Sequence, residues 1–180
     1  ALDPHIWTSP EISKIISTRI AQELSSLDEE NAPFYQANLE MPLQEIEQLQ
    51  KDIRLALESV DNRRFLVFHP AWGYFAREFG LQQIPIEVGG TEPSAGELAK
   101  IIDTAKKENI HVVFAQPEFS TTTADYIAQE INGRVVLVSP LAENWLDNLR
   151  KVADSFKKNL WDYMRKEAVI EINGLWAGYD

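Results

Sequence analysis

Apolar residues recur over the first sixty positions at three- and four-residue spacing, then gather after Asn62 into short runs separated by helical stretches. Ile12, Ile15, Ile16, Ile20, Leu24 and Leu27 mark one face of an amphipathic helix. Ser9 followed by Pro10 suits its start, because the hydroxyl can cap an open amide and proline fits the first helical position. A second periodic stretch runs through Tyr35, Leu39, Leu43, Ile46, Leu49, Ile53, Leu57 and Val60. Pro42 lies inside it and should either kink the helix or mark its true start. A helix of about 25 residues reaches roughly 37 Å. That is longer than a small lobe needs and predicts a strut between lobes.

After Asn62 strands and helices alternate. Strands are expected over Arg64–Phe68, Ile84–Val88, Ile110–Ala115 and Arg134–Val138. Helices are expected over Ala71–Phe79, from Ser94 to about Lys107, over Thr122–Ile131, and from Leu141 to about Leu160. Gly80 and Asn132-Gly133 are stop signals, and Ser94 with Glu97 forms a capping box. The predicted fold class is therefore α/β: a four-stranded parallel sheet flanked by helices, preceded by a helix and a long backbone helix. Ligands of such sheets collect beyond the carboxyl ends of the strands, where His69 and Ser139 stand.

Composition narrows the function. The 180 residues suit one domain, or one lobe with a connecting element. A net charge of -11 speaks against a nucleic-acid surface, which needs clustered Lys and Arg. The absence of cysteine excludes disulfides and thiolate metal sites. No apolar run approaches the roughly 20 residues that span a bilayer. Because the chain opens on Ala1-Leu2-Asp3-Pro4 without a basic, apolar leader, it is expected to be a fragment or mature remnant. Enzyme signatures are lacking: Gly89-Gly90 has the spacing of neither a P-loop nor a dinucleotide fingerprint, and no nucleophile elbow surrounds the serines. A small-molecule-binding or hydrolytic α/β domain, and a purely structural lobe, stand as alternatives.

The candidate chemistry lies in two histidine segments, Asp3-Pro4-His5-Ile6-Trp7 and Phe68-His69-Pro70-Ala71-Trp72-Gly73-Tyr74-Phe75. His69 follows a strand and should project into the crevice. His5 competes with a simpler role, a loop histidine packed on Trp7. His111 reads as a surface residue. Glu118, after the third strand, reads as a crevice carboxylate or a solvated loop residue, and Ser139-Pro140 as a helix cap.

Together these segments resemble the metal-receptor subunits of bacterial zinc and manganese ABC importers. Asp3–Pro10 resembles that family's Asp-Pro-His-x-Trp segment, and Phe68–Leu81 its second ligand segment. Gly89–Leu98, Val113–Ser120 and Val136–Leu149 follow its text, so the resemblance covers roughly residues 1 to 160. It implies that His5 and His69 bind Zn2+ as neutral imidazoles, with Mn2+ the second choice. It also implies an ABC permease as partner and a periplasmic or membrane-anchored extracytoplasmic location. Affinity is then expected to fall as pH drops through the histidine range, about 6.5. Two departures follow from the same resemblance. The family's first lobe supplies a further histidine and precedes this text, and a carboxylate usual in the last strand is Ser139 here. The expected site is an incomplete pair of imidazoles.

The resemblance divides the chain into residues 1–30 (end of a first lobe), 31–61 (linker helix), 62–162 (second lobe) and 163–180. The last segment, with Glu171-Ile172-Asn173-Gly174-Leu175 and Tyr179, resembles the first strand and adenine-contacting aromatic of an ABC transporter ATPase. Without a phosphate-cradling loop it should bind no nucleotide, and it should pair with a sheet edge or stay disordered. The strut and the surroundings of Trp7 and Trp72 are expected to present an apolar surface that favours a homodimer.

Overall fold

The structure, a computed structural model, describes residues 2–158. A 3-10 turn over Ile6–Thr8 leads into helix α1, Pro10–Leu27. Ser9 is extended, its side chain accepts from the Ile12 amide, and Pro10 occupies the first turn, as the sequence predicts. Helix α2 spans Ala32–Leu57 and runs through Pro42 uninterrupted. Its 26 residues reach about 39 Å. Pro42 can be accommodated because Asn38, whose carbonyl loses its helical partner there, is exposed to water. Gln36 donates to Ser25 at one end and Gln50 to Glu11 at the other, so α1 and α2 run antiparallel.

The remaining elements are β1 (Arg64–Val67), α3 (Gly73–Phe79), β2 (Gln82–Pro85), α4 (Ala95–Lys107), β3 (Val112–Ala115), α5 (Thr122–Glu130), β4 (Arg134–Leu137) and α6, helical over residues 145–158. The four strands pair in parallel in the order β2-β1-β3-β4. Alternation along the two central strands builds two cores. Phe65, Val67, Val112 and Phe114 face α2, α3 and α6, while Leu66, Val113 and Ala115 face α4 and α5. On the first side Phe156 of α6 lies 4.3 Å from Phe114, 4.8 Å from Phe65 and 5.6 Å from Phe75, ring centre to ring centre. The predicted four-stranded parallel α/β fold is the observed one.

Several boundaries moved, each for a local reason. β2 occupies Gln82–Pro85 rather than Ile84–Val88, because Gln82 donates to the Arg63 carbonyl and sets the register against β1. Two polar residues open that edge strand, so hydrophobicity alone places it late. α3 starts at Gly73, the preceding residues being held in a turn by the Ala71 amide on the His69 carbonyl. α6 starts at residue 145 because Asn144 caps it, its Oδ1 accepting from the Asp147 amide, while Ser139 turns the chain earlier by accepting from Leu141. The capping box of α4 forms as predicted: Ser94 accepts from Glu97 N–H, and the Glu97 carboxylate accepts from Ser94 N–H.

The tryptophans correct an expectation. Trp72 is fully buried against Phe75 and Phe156, and its Nε1 is the one buried side-chain polar atom without a partner among the described residues. Trp7 is half-buried, donating through Nε1 to the Pro140 carbonyl. Trp72 therefore presents no apolar surface, whereas Ile6 beside Trp7 is exposed. Exposed apolar residues also line the hairpin, with Ile15, Ile20, Leu24 and Leu27 on α1 and Phe34 and Met41 on α2. The segment 163–180 lies outside the described residues.

Candidate metal centre

Strand β1 is flanked by β2 on one side and β3 on the other, so the connections leaving their carboxyl ends part and open a crevice. His69 stands at that point, two residues past the end of β1. His5 arrives from the other end of the chain. Its carbonyl accepts from the Thr8 amide at 3.2 Å and the Thr8 hydroxyl at 2.9 Å, which closes the 3-10 turn. Trp7 Nε1 donates to the Pro140 carbonyl at 2.9 Å, and Trp145 Nε1 donates to the Trp7 carbonyl at 2.8 Å. These bonds stitch the turn onto the loop after β4 and the start of α6.

The two imidazoles meet. His5 Nε2 and His69 Nε2 are 3.3 Å apart, with ring centres at 5.1 Å and planes at 79°. Each ring has a carboxylate behind it: Asp3 Oδ1 lies 2.7 Å from His5 Nδ1, and Glu87 Oε2 lies 2.7 Å from His69 Nδ1. An ionised carboxylate only accepts, so in the neutral ring with its proton on Nδ1 each Nε2 offers a lone pair. Two lone pairs at that distance repel unless a cation lies between them. Two Zn–N bonds of about 2.0–2.1 Å at a tetrahedral angle hold their nitrogens about 3.4 Å apart. The observed spacing fits that geometry, and carboxylate-backed imidazoles are the usual outer arrangement of a metal-binding histidine.

Two donors do not complete a zinc site. Among the described residues no group of three or more His, Cys, Asp or Glu is placed to hold a metal ion. Ser139 and Glu118, the other crevice candidates, meet each other: the Ser139 hydroxyl donates to Glu118 Oε1 at 2.6 Å, and Glu118 is exposed. The neighbouring Phe119 ring is 6.4 Å from the His69 ring, so this pair borders the site. His111 is not the surface residue expected. It is half-buried before β3, with Nδ1 2.8 Å from the Ile131 carbonyl, at the opposite end of the sheet.

Sequence reasoning missed the two backing carboxylates. Asp3 had a signal, since its side chain also accepts from the His5 amide at 3.0 Å and an Asp two residues before a turn often does so. Glu87 had none, being 18 residues from His69 and brought beside it only by strand pairing. Gly73 belongs to the same arrangement. A Cβ there would stand 2.8 Å from Asp3 Oδ2, so glycine is what lets Asp3 sit against the start of α3.

A family model described as zinc-uptake complex component A, periplasmic (ZnuA), matches residues 1–159. The high-affinity zinc uptake system protein ZnuA of Bacillus subtilis (strain 168) is 32% identical over 143 residues, covering 78% of this chain and 45% of that protein. The zinc-binding protein AdcA of Streptococcus pyogenes serotype M3 is also 32% identical over 143 residues, 78% of this chain and 28% of that one. The chain thus spans less than half the length of these curated relatives. Among solved structures, a crystal structure of ZnuA superposes with a TM-score of 0.85 at 47% identity, covering 89% of this chain and 63% of that chain. A laminin-binding protein of Streptococcus agalactiae, described as bifunctional with adhesin and metal-transporting activity, gives 0.80 at 30% identity, covering 88% and 64%.

Proposed function

This chain belongs to the family of periplasmic zinc-uptake complex component A, and on that premise we propose that it serves in an extracytoplasmic receptor that captures zinc and delivers it to an ABC permease. The observation that carries the reading is the pair of facing imidazoles, Nε2 to Nε2 at 3.3 Å, each backed by a carboxylate. His5 and His69 are the proposed ligands, and the ion is cargo, bound and released unchanged; the protein is a receptor and not an enzyme. Imidazole donors suit zinc better than manganese, which prefers oxygen. With two donors where zinc takes four, this chain by itself binds weakly, and water or further protein groups complete the shell. Protons compete with zinc for both Nε2 atoms, so affinity falls on acidification.

A calorimetric titration of the chain with Zn2+ tests the reading. His5→Ala and His69→Ala each lower the affinity at least tenfold, about 1.4 kcal/mol. Unchanged affinity in both variants removes the assignment.

The proposed division of the chain keeps residues 1–30 with a first lobe, 31–61 as linker and 62–162 as the second lobe, with 163–180 resembling the start of an ABC ATPase. A homodimer remains part of the proposal, supported by the exposed Ile15, Ile20, Leu24 and Leu27 of α1 rather than by Trp72. Light scattering at high micromolar concentration tests it, and a monomeric mass would remove it. The net charge of -11 supports no role in nucleic-acid binding.

A further inference from the structure

Glu78, on the half-buried face of α3, receives donors from two other helices. Its Oε2 accepts from the Ser9 hydroxyl at 2.5 Å and from the Glu11 amide at 3.1 Å, both at the start of α1. Its Oε1 accepts from Gln50 Nε2 of α2 at 2.7 Å, and the same amide group reaches Glu11 Oε2 at 3.0 Å. Ser9 and Gln50 are buried. The carboxylate therefore occupies the amino end of an 18-residue helix, where its charge complements the positive end of the helix dipole and one of the open amides finds a partner.

What this bracket joins matters more than the bonds themselves. Ser9 is four residues from His5, and the 3-10 turn between them is closed by the Thr8 hydroxyl on the His5 carbonyl. α3 begins four residues after His69, and the His69 carbonyl is held by the Ala71 amide. At the near end of the same short helix, the Tyr74 hydroxyl donates to the Asp3 carbonyl at 3.2 Å. α3 thus grips the His5 segment on both sides of the histidine while its own start fixes the His69 turn.

We propose that Glu78 is a positioning residue for the zinc site, setting the separation of His5 and His69 by locking the start of α1 to α3. The inference rests on the reading of these histidines as zinc ligands. It makes no direct contact between Glu78 and the ion, so its signature is a coupling between Glu78 and His5.

The test is a double-mutant cycle read by Zn2+ calorimetry on the whole chain, with the melting of each variant followed by circular dichroism. Glu78→Ala is expected to lower zinc affinity about tenfold or more, in the range found for residues that orient metal ligands. In a His5→Ala background the same substitution should change the remaining affinity less than twofold, because there is no second imidazole left to misplace. An equal loss in both backgrounds, or no loss in the first, overturns the proposal. Should Glu78→Ala fail to fold, Glu78→Asp keeps the charge, shortens the reach by one methylene, and carries the same two outcomes. The histidine variants separate the two readings. If His5→Ala and His69→Ala both leave affinity unchanged, the zinc assignment falls; if His5→Ala weakens binding while Glu78→Ala does not, only the positioning role falls.

Discussion

The α1–α2 hairpin and the sheet lobe are written in similar hydrophobic periodicity, yet they spend it differently. In α2 the second half buries Leu49, Ile53 and Leu57 against the lobe, while Phe34 and Met41 in the first half are exposed. α1 buries only Pro10 and Ala21, although its apolar stripe is as regular as that of α2. In the sheet lobe β3 is buried along its whole length and the aromatic cluster around Phe156 is closed, the exposed apolar side chains such as Phe119, Leu137 and Leu141 lying at its loops and edge. Periodicity therefore reports which face of a helix is apolar, but not what covers it. The candidate metal centre sits at the seam, with His69 rooted in the lobe and His5 carried in on the turn before α1.

The sharpest way to break this contrast is to cut the same chemistry out of both regions. Phe114→Ala, in the closed core, should cost about 3–5 kcal/mol of unfolding free energy in denaturant titrations. Ile20→Ala on α1, 55% exposed, should stay within about 0.5 kcal/mol. Comparable losses would mean that the α1 stripe is covered in solution. A smaller effect is expected at the seam. Gly73→Ala pushes a methyl group against Asp3 Oδ2 and loosens the carboxylate behind His5. Zinc affinity should then drop about tenfold, roughly 1.4 kcal/mol, with little change in melting. Retained affinity would show that Asp3 can move without cost to the site.

Next in size is the α4 cap, which is independent of the seam. Ser94→Ala should remove about 1 kcal/mol. Its partner adds a pH dependence of known sign. Hydrogen bonds from the Ser94 side chain and then its amide hold the Glu97 carboxyl below the usual carboxylate range. A depressed carboxylate contributes stability above its unfolded value and loses it as pH falls through the lowered folded value. The difference between wild type and Glu97→Gln should therefore shrink on acidification below the ordinary glutamate range. A difference that grows instead would mean the box is not formed.

Much of the fold was legible because its signals are local. Ser9-Pro10, the Ser94–Glu97 box and the buried run Val112–Ala115 each carry their own physics within a few residues. The site was legible only in part. His5 and His69 stand in recognisable segments, but Glu87 reaches His69 through strand pairing, and Glu78 reaches Ser9 across 69 residues of chain. Edge strand β2 was misplaced because Gln82 and Gln83 hide it from a hydrophobicity reading. Trp72 was misread because its neighbours, not its own sequence context, decide that it is buried.

The strand order has a colloidal consequence. In β2 the Gln82 and Ile86 amides point inward, to the Arg63 and Val67 carbonyls, so the outward positions include Pro85, which has no amide to offer. In β4 the Arg134 and Val138 amides point inward, so Val135 and Leu137 turn theirs outward, and Leu137 is 54% exposed. Among the described residues no strand lies beyond either edge. An added strand meets an interrupted row of donors beside β2 and a complete one beside β4. Unwanted growth of the sheet, in a concentrated or ageing sample, is therefore directed to one side of the molecule.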